Sequence, residues 1–234
     1  MRLPTRPTSS GAAGIFTLVL AGLLLAATAA QASEPPALPN LSAEQIAKIE
    51  AGEIIVEVNE SESLNRGLIV GIIQDPINAV VPYVARCWEY APWRDNIRDT
   101  KLIRRIDDET IVCSGVAETP FPARDRTGHF QVHNHVTQVE GERAFVSTFT
   151  YLEDSGNMED MFGYWVLTPY GKNNEHTLLT HVLNVDMGGW IPGFLIRWAT
   201  RNTLPATVWG IRKQLNDGTR SAPLYWNSHD YNGR

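Results

Sequence analysis

Cysteine is scarce in this chain, since Cys87 and Cys113 are the only two among 234 residues. Two cysteines cannot form a cysteine-rich metal centre, and no Cys/His group has the spacing of zinc ligands. The sequence also lacks a G-x-S-x-G nucleophile motif and a glycine-rich phosphate loop. We therefore expect no metal and no cofactor, and a binding protein in preference to an enzyme.

The chain also has fewer basic than acidic residues. The 20 lysine and arginine residues are outnumbered by 26 acidic residues, which gives a formal net charge of −6 at pH 7. Binding to nucleic acid or to an anionic membrane surface depends on basic patches. We therefore expect no nucleic-acid partner. A transient contact with a membrane stays open, and nothing in the sequence indicates an oligomer.

The chain has a single long hydrophobic run, residues 15–30, which follows the basic residues Arg2 and Arg6. Ala30-Gln31-Ala32 has the small-x-small pattern of a secretory cleavage site. The alternative is an uncleaved membrane anchor, because the run approaches the roughly 20 residues that span a bilayer. We predict a signal peptide over residues 1–32 and an exported protein, periplasmic or secreted.

The middle of the chain alternates between strand-like segments and short turns. After a proline-rich leader at 33–40, residues rich in Ile, Val and Thr recur between clusters of turn residues. Turns this short join antiparallel neighbours and leave no room for crossover helices. The predicted strands are 53–58, 67–73, 101–106, 110–117, 127–139, 143–152, 162–168 and 177–185.

Two short helices are predicted near the start of the domain. Ser42 and Gln45 have the spacing of a capping box at the start of the first. Asp75 followed by Pro76 predicts an acidic N-cap, with proline at the first position of the second helix. Pro82 should bend that second helix, because proline removes a backbone hydrogen bond.

A long C-terminal helix is predicted over about 191–215, with a kink at Pro205. Apolar residues fall on one side of it at helical spacing, so the helix can cover one face of a sheet. The residues on this side are Phe194, Trp198, Arg201, Leu204, Val208, Ile211 and Leu215.

Four segments indicate a family. They are GLIVGIIQDP (67–76), TPFPARDR (119–126), GYWVLTP (163–169), and DMGGWIPGFL (186–195) with the following TRNTLP (200–205). With this order of elements, the chain resembles the START-like helix-grip (SRPBCC) superfamily, which includes bacterial START and polyketide cyclase-type lipid-binding domains. The resemblance implies an α+β fold in which a curved antiparallel sheet wraps a long C-terminal helix. It covers 41–216 and leaves 217–234 as a polar tail.

Arg124 and Arg126 are candidates for a polar contact inside the domain. Counting in twos from Phe130 places both on the apolar side of their strand. A guanidinium there needs an anion, which is either a ligand group or a protein carboxylate such as Asp125. The resemblance implies that Arg124 lies near the ligand cavity.

Apolar side chains around the start of the C-terminal helix are candidates for the cavity wall. Gly188 and Gly189 either let this segment open as a lid or serve only to turn the chain. With Arg124, the proposed ligand-binding residues are Phe130, Trp165, Trp190, Ile191, Phe194, Trp198 and Arg201.

Three histidines and the two cysteines have less specific patterns. His129, His133 and His135 share one face of a strand, but no convincing third metal ligand accompanies any pair. We interpret them as surface histidines and predict no metal site. Cys87 and Cys113 are either two buried thiols or a disulfide, because counting cysteines supplies no geometry.

These observations predict an exported protein that binds or transfers a lipid or another hydrophobic small molecule in an internal cavity between the sheet and the C-terminal helix. The first alternative is a cyclase- or hydrolase-type enzyme of the same fold, which would have paired ionisable groups in its pocket. The second is a protein-interaction domain with a filled core and an exposed apolar patch.

Overall fold

The computed structural model describes residues 38–60, 65–188 and 193–218, without the side chains of residues 60 and 193–201. The predicted signal peptide, most of the leader and nearly all of the polar tail lie outside these ranges. The described residues belong to one compact unit. Within the described ranges, no helix combines the length and the apolar character needed to cross a bilayer.

The core of the fold is one eight-stranded antiparallel sheet. Its strands follow the spatial order β1-β2-β8-β7-β6-β5-β4-β3. In this sheet, β2 and β8 are the one pair of neighbouring strands that are not consecutive in sequence. With the C-terminal helix, this curved sheet confirms the predicted α+β class. The strands are β1 Ile55–Glu60, β2 Asn65–Ile73, β3 Ile97–Arg105, β4 Thr110–Ala117, β5 Arg126–Val139, β6 Glu142–Tyr151, β7 Asp160–Tyr170 and β8 His176–Asp186.

Helix α1 spans Ala43–Glu50 and begins with the predicted capping box. The backbone N–H of Gln45 donates to Ser42 Oγ at 3.2 Å, and the N–H of Ser42 donates to Gln45 Oε1 at 2.9 Å. Two N–H groups at the start of the helix are therefore satisfied by side chains, as the sequence pattern predicted.

Helix α2 spans Ile77–Ala85 and differs from its prediction at both ends. The N-cap is Pro76, so Asp75 lies outside the helix and the predicted acidic cap is wrong. Trp88 continues the helical spacing of Val80 and Val84, which predicts a longer helix, but it lies in a separate 3₁₀ turn, Cys87–Glu89. The backbone N–H of Arg86 donates a hydrogen bond to the carbonyl of Pro82, and the helix ends at Ala85.

Helix α3 spans Gly193–Asn216 and packs on β2. Glycines in the strand make close packing possible, because a Cβ on Gly67 would lie 2.7 Å from Leu204 Cδ1. Arg212, in the later part of the helix, donates hydrogen bonds to the carbonyls of Ile72 on β2 and of Gly52 after α1, and so holds the helix against these segments. As predicted, Leu204, Val208, Ile211 and Leu215 are buried.

Candidate functional site

Two adjoining pockets lie beside the sheet, with volumes of about 110 and about 170 Å³. They share part of their walls, so they form one site. Thr203 and Leu204 of α3 line the second pocket, while strands and the segment before β3 supply much of the first. The residues that line both pockets are Arg94, Ile97, Ala117, Met158, Met161 and Leu183.

The first pocket has predominantly apolar walls. Phe130 and Trp165, both predicted as ligand-binding residues, are among its lining side chains, together with Val132 and Phe149. Phe130 packs on the ring of Tyr151 with centroids 5.9 Å apart. Phe130 and Val132 are two residues apart on β5, so both side chains point to the pocket side of the sheet, as the two-residue period of a strand dictates.

One fully buried polar group of this pocket is His181, on β8. Its ring stacks on Trp165 at a centroid distance of 3.7 Å, and Nδ1 lies 3.1 Å from the carbonyl oxygen of Tyr164. Because a carbonyl only accepts, Nδ1 carries the hydrogen in this contact. Burial, and then the nearby charge of Arg94, lower the pKa of His181 from 6.5 to about 3.

This histidine should make the fold sensitive to acid. The pKa of His181 is lower in the folded protein than in the unfolded chain, so its contribution is complete above pH 6.5 and is lost as the pH falls toward 3. Stability should drop by up to about 1.4 kcal/mol per pH unit in that window. Urea unfolding at pH 7.0, 6.0 and 5.0 measures this slope.

The matched variant is His181→Asn, whose side-chain amide can still donate to the Tyr164 carbonyl. It should unfold with a shallower pH slope than the parent protein, even if it is less stable at pH 7. Equal slopes for the two proteins would show that protonation of His181 does not control the acid sensitivity.

Arg126, and not Arg124, is the arginine that the strand turns toward the pocket. It is buried and lines the first pocket. Its guanidinium donates to the carbonyls of Met187 at 2.8 Å, Arg124 at 2.7 Å and Gly188 at 3.2 Å. Arg126 therefore holds the segment after β8 with its hydrogen bonds.

Arg124 was predicted as the polar end of the site, but the structure places its side chain at the surface. The alternation argument fails there because β5 begins at Arg126, two residues later. The preceding loop is organised by Asp125, which accepts from the N–H of Thr119 and pairs with Arg98 at 2.6 Å. Asp125 is therefore not the partner of an interior arginine.

Arg94 is a site residue that the sequence did not reveal. It lies between the 3₁₀ turn and β3, and it lines both pockets. Its guanidinium carbon is 5.5 Å from the centroid of the Tyr90 ring and 5.8 Å from that of Trp93. Burial lowers the pKa of Arg94. Because this segment has no periodic pattern, no sequence signal distinguished this arginine from those on the surface.

The side chains of five predicted ligand-binding residues, and one glycine of the predicted lid, lie beyond what the structure describes. Trp190 and Ile191 fall outside the described ranges, as does Gly189 of the predicted lid. Phe194, Trp198 and Arg201 belong to α3, but their side chains are outside the description. Gly188 has a positive φ of 65°, a conformation that favours glycine. Their roles stay predictions.

Cys87 and Cys113 form a disulfide in the structure, with a Cα–Cα distance of 6.3 Å. It links the 3₁₀ turn after α2 to β4, and both residues line the first pocket. Of the two alternatives that the sequence left open, the structure therefore has the bridge. Its position fixes the beginning of the segment that carries Arg94.

The three histidines of β5 do not form a metal centre in the described part of the chain, where no group of three ligating side chains is present. His133 and His135 lie with ring centroids 4.7 Å apart, and His133 Nε2 is 3.8 Å from a carboxylate oxygen of Glu109. His135 is half-buried, and burial followed by the neighbouring His133 lowers its pKa. These contacts lie apart from the two pockets.

The fold that contains these pockets is the START-like helix-grip fold. A STAR-related lipid transfer protein from Xanthomonas axonopodis superposes with a TM-score of 0.59 at 17% identity, covering 70% of this chain and 93% of that one. The human StAR-related lipid transfer protein 5 gives 0.53 at 15% identity, covering 75% and 92%. The Zhui aromatase/cyclase from a Streptomyces species gives 0.52 at 10% identity, covering 68% and 97%.

No protein-family model matches the chain, and no curated protein matches it either. At identities this low, the structural similarity shows the fold and leaves the ligand and the activity to be argued from the site itself.

Proposed function

We propose that this protein binds a hydrophobic small molecule in the two adjoining pockets and carries it through water. The observation that supports this most directly is the wall of the first pocket, where Val132, Phe149, Trp165 and Leu183 present hydrocarbon to the open volume. Apolar surface that leaves water on binding contributes about 25 cal/mol per Å² before ordering costs. Two of the structural neighbours are named as lipid transfer proteins.

The pocket volumes limit the size of the molecule. At about 110 and about 170 Å³, each pocket is close to the roughly 150 Å³ of an apolar cavity that holds one benzene molecule. The site therefore fits a ligand with two small apolar parts, or one chain of medium length that extends through both pockets.

Export is part of the proposal. The predicted signal peptide over residues 1–32 would direct the chain out of the cytoplasm. The Cys87–Cys113 disulfide supports this location, because disulfides persist in oxidising compartments such as the periplasm. N-terminal sequencing of the protein recovered from the host's periplasm or medium tests it, with a start at Ser33 as the expected result.

The binding function is tested by native mass spectrometry of freshly purified mature protein, followed by solvent extraction and identification of the extract. A stoichiometric hydrophobic molecule that leaves on extraction and rebinds on titration is the expected result. Protein that carries nothing and binds no lipid or aromatic compound on titration would contradict the proposal.

Filling the junction of the two pockets should abolish binding without unfolding the domain. Ala117 lines both pockets from the end of β4, so Ala117→Phe places a ring in the shared volume. We expect affinity for the co-purified ligand to fall at least about tenfold, because the lost apolar contact area is on the scale of one ring. Isothermal titration calorimetry measures the change.

The matched control is Val116→Phe, one residue earlier on the same strand. Successive side chains point to opposite faces of a sheet, and Val116 does not line either pocket. Its affinity should stay within about twofold of the parent protein. Similar losses in both variants would indicate distortion of β4, and no loss in Ala117→Phe would show that the ligand binds elsewhere.

An enzyme of the same fold is the second candidate, because His181 and Arg94 place two ionisable groups at the first pocket. With a pKa of about 3, however, His181 is a weak base at neutral pH. The carrier proposal therefore expects the bound molecule to keep its mass after prolonged incubation. A product that accumulates over many turnovers would favour the enzyme.

A further inference from the structure

We propose that Arg94 binds an anionic oxygen group of the ligand, so that the hydrophobic molecule carried by this protein is an acid, with a carboxylate or phosphate head at the junction of the two pockets. This inference rests on the proposed binding function and specifies the chemistry of its ligand. It is carried by the buried Nε of Arg94, by the lack of a protein counter-charge for this side chain in the described residues, and by its position on both pocket walls.

The Arg94 side chain has unused hydrogen-bonding capacity. Its Nε is fully buried and has no hydrogen-bond partner. Throughout the described ranges, no carboxylate lies within ion-pair distance of its guanidinium. A cationic side chain whose buried N–H donor lacks an acceptor destabilises the fold, and an anion that accepts this hydrogen bond removes that cost.

The rings beside Arg94 do not supply the missing charge. Tyr90 donates its hydroxyl hydrogen to the carbonyl of Val84 at 2.8 Å, and burial raises the pKa of Tyr90 to about 12. The phenol is therefore neutral at physiological pH. The faces of Tyr90 and Trp93 attract the guanidinium only through cation–π contacts, which are weaker than a charge-assisted hydrogen bond in a dry site.

The other charged groups of the pockets leave a positive excess. Arg66, Arg126 and Glu118 line one pocket or the other. Glu118 is already paired with Arg98, whose Nε lies 2.9 Å from its carboxylate. Arg126 donates to three backbone carbonyls, which carry no full negative charge to balance the guanidinium. An acid enters such a site with favourable electrostatics, whereas a cationic ligand would meet net repulsion.

Arg94 is also held in place, as a recognition residue must be. The segment that carries it is tied at one end to β4 by the disulfide at Cys87. At the other side it packs against α3, where a Cβ on Gly210 would overlap the carbonyl oxygen of Trp93. The close approach at Gly210 brings α3, Trp93 and therefore Arg94 into a fixed arrangement beside the pockets.

The test compares ligands that share one chain and differ in the head group. Delipidated mature protein is titrated calorimetrically with decanoate, decyl phosphate and decan-1-ol at pH 7.5. We expect at least one of the two anions to bind about 10- to 100-fold more tightly than the alcohol, which is the usual range for a hydrogen bond to a charged group. The anion that binds more tightly distinguishes a carboxylate head from a phosphate head.

The variant series assigns this preference to one residue. Arg94→Gln should lose most of the preference for the anion and bind decan-1-ol within about twofold of the parent, while Arg94→Lys should keep part of it. Arg104→Gln is the matched control, because it removes the same charge from an exposed position on β3 outside both pockets. Its affinities should not change.

The outcomes separate the two proposals. Decan-1-ol that binds as tightly as both anions, or a preference for the anion that survives Arg94→Gln, overturns the role of Arg94 and leaves the binding function standing. If none of the three ligands binds and no hydrophobic molecule co-purifies, both proposals fail. If Arg94→Gln does not fold, the affinities of the three ligands for the parent protein and for Arg94→Lys still test whether Arg94 causes the preference for the anion.

Discussion

Removing the Cys87–Cys113 disulfide should lower the free energy of unfolding by about 3.5 kcal/mol. The two cysteines are 26 residues apart, so the bridge closes a loop that the reduced unfolded chain is free to open. Most of the expected effect is this restriction of the unfolded state. The sulfurs are also part of the folded core, since Cys87 and Cys113 are both buried.

The measurement is urea unfolding of the oxidised protein, of the protein with reductant, and of the double variant Cys87→Ala, Cys113→Ala. Reductant should destabilise the parent protein and leave the double variant unchanged, which serves as the control. A titration of thiols under denaturing conditions should find none before reduction. Two free thiols in the purified protein, or unfolding midpoints that reductant does not move, would contradict this prediction.

The bridge should also matter for the ligand. Both cysteines line the first pocket, and Cys87 begins the segment that ends at Arg94. Opening the bridge gives this segment more freedom, so Arg94 loses part of its pre-organisation for an anion. At temperatures where the reduced protein is still folded, the calorimetric affinity for the preferred decyl acid should therefore fall.

Much of the sheet could be predicted because its physical signals are local. Strand β4 is Thr110–Ala117 in the structure, as the run of β-branched residues indicated. Strand β3 was predicted from 101 but begins at Ile97. Its side chains are mostly exposed and charged, so an apolar alternation was not available to mark where it begins.

The site was less predictable because its parts meet through the tertiary structure. Arg94 lies in a segment without periodicity, and its burial depends on the contact of that segment with Gly210 of α3. The disulfide depends on a Cα–Cα distance that no spacing in the sequence determines. Trp165 was found because large aromatic side chains are candidates for the cavity wall in a fold of this kind. Counting in twos along the strand placed Arg126 correctly once β5 had begun.

Trp165→Ala should be the most destabilising single substitution in the pocket wall, at about 3 to 5 kcal/mol. The side chain is only 2% exposed and is one of the largest buried in the protein. Its loss removes apolar burial, leaves an enlarged void beside the first pocket, and takes away the ring that stacks on His181. Water reaches the His181 imidazole more easily when a void lies beside it, so burial lowers the pKa of His181 less. The free energy of unfolding of the variant should therefore also depend less on pH.

Trp209→Ala is the matched control, since it removes the same side chain from a position that is 54% exposed. Trp209 contacts the guanidinium of Arg212, at 4.9 Å from the ring centroid, so its loss should cost about 1 kcal/mol or less. Chemical denaturation of both variants, with Trp165→Phe as an intermediate case, gives the three free energies of unfolding. Equal costs for Trp165→Ala and Trp209→Ala would contradict the buried position of Trp165, and with it the apolar wall on which the proposed binding function depends.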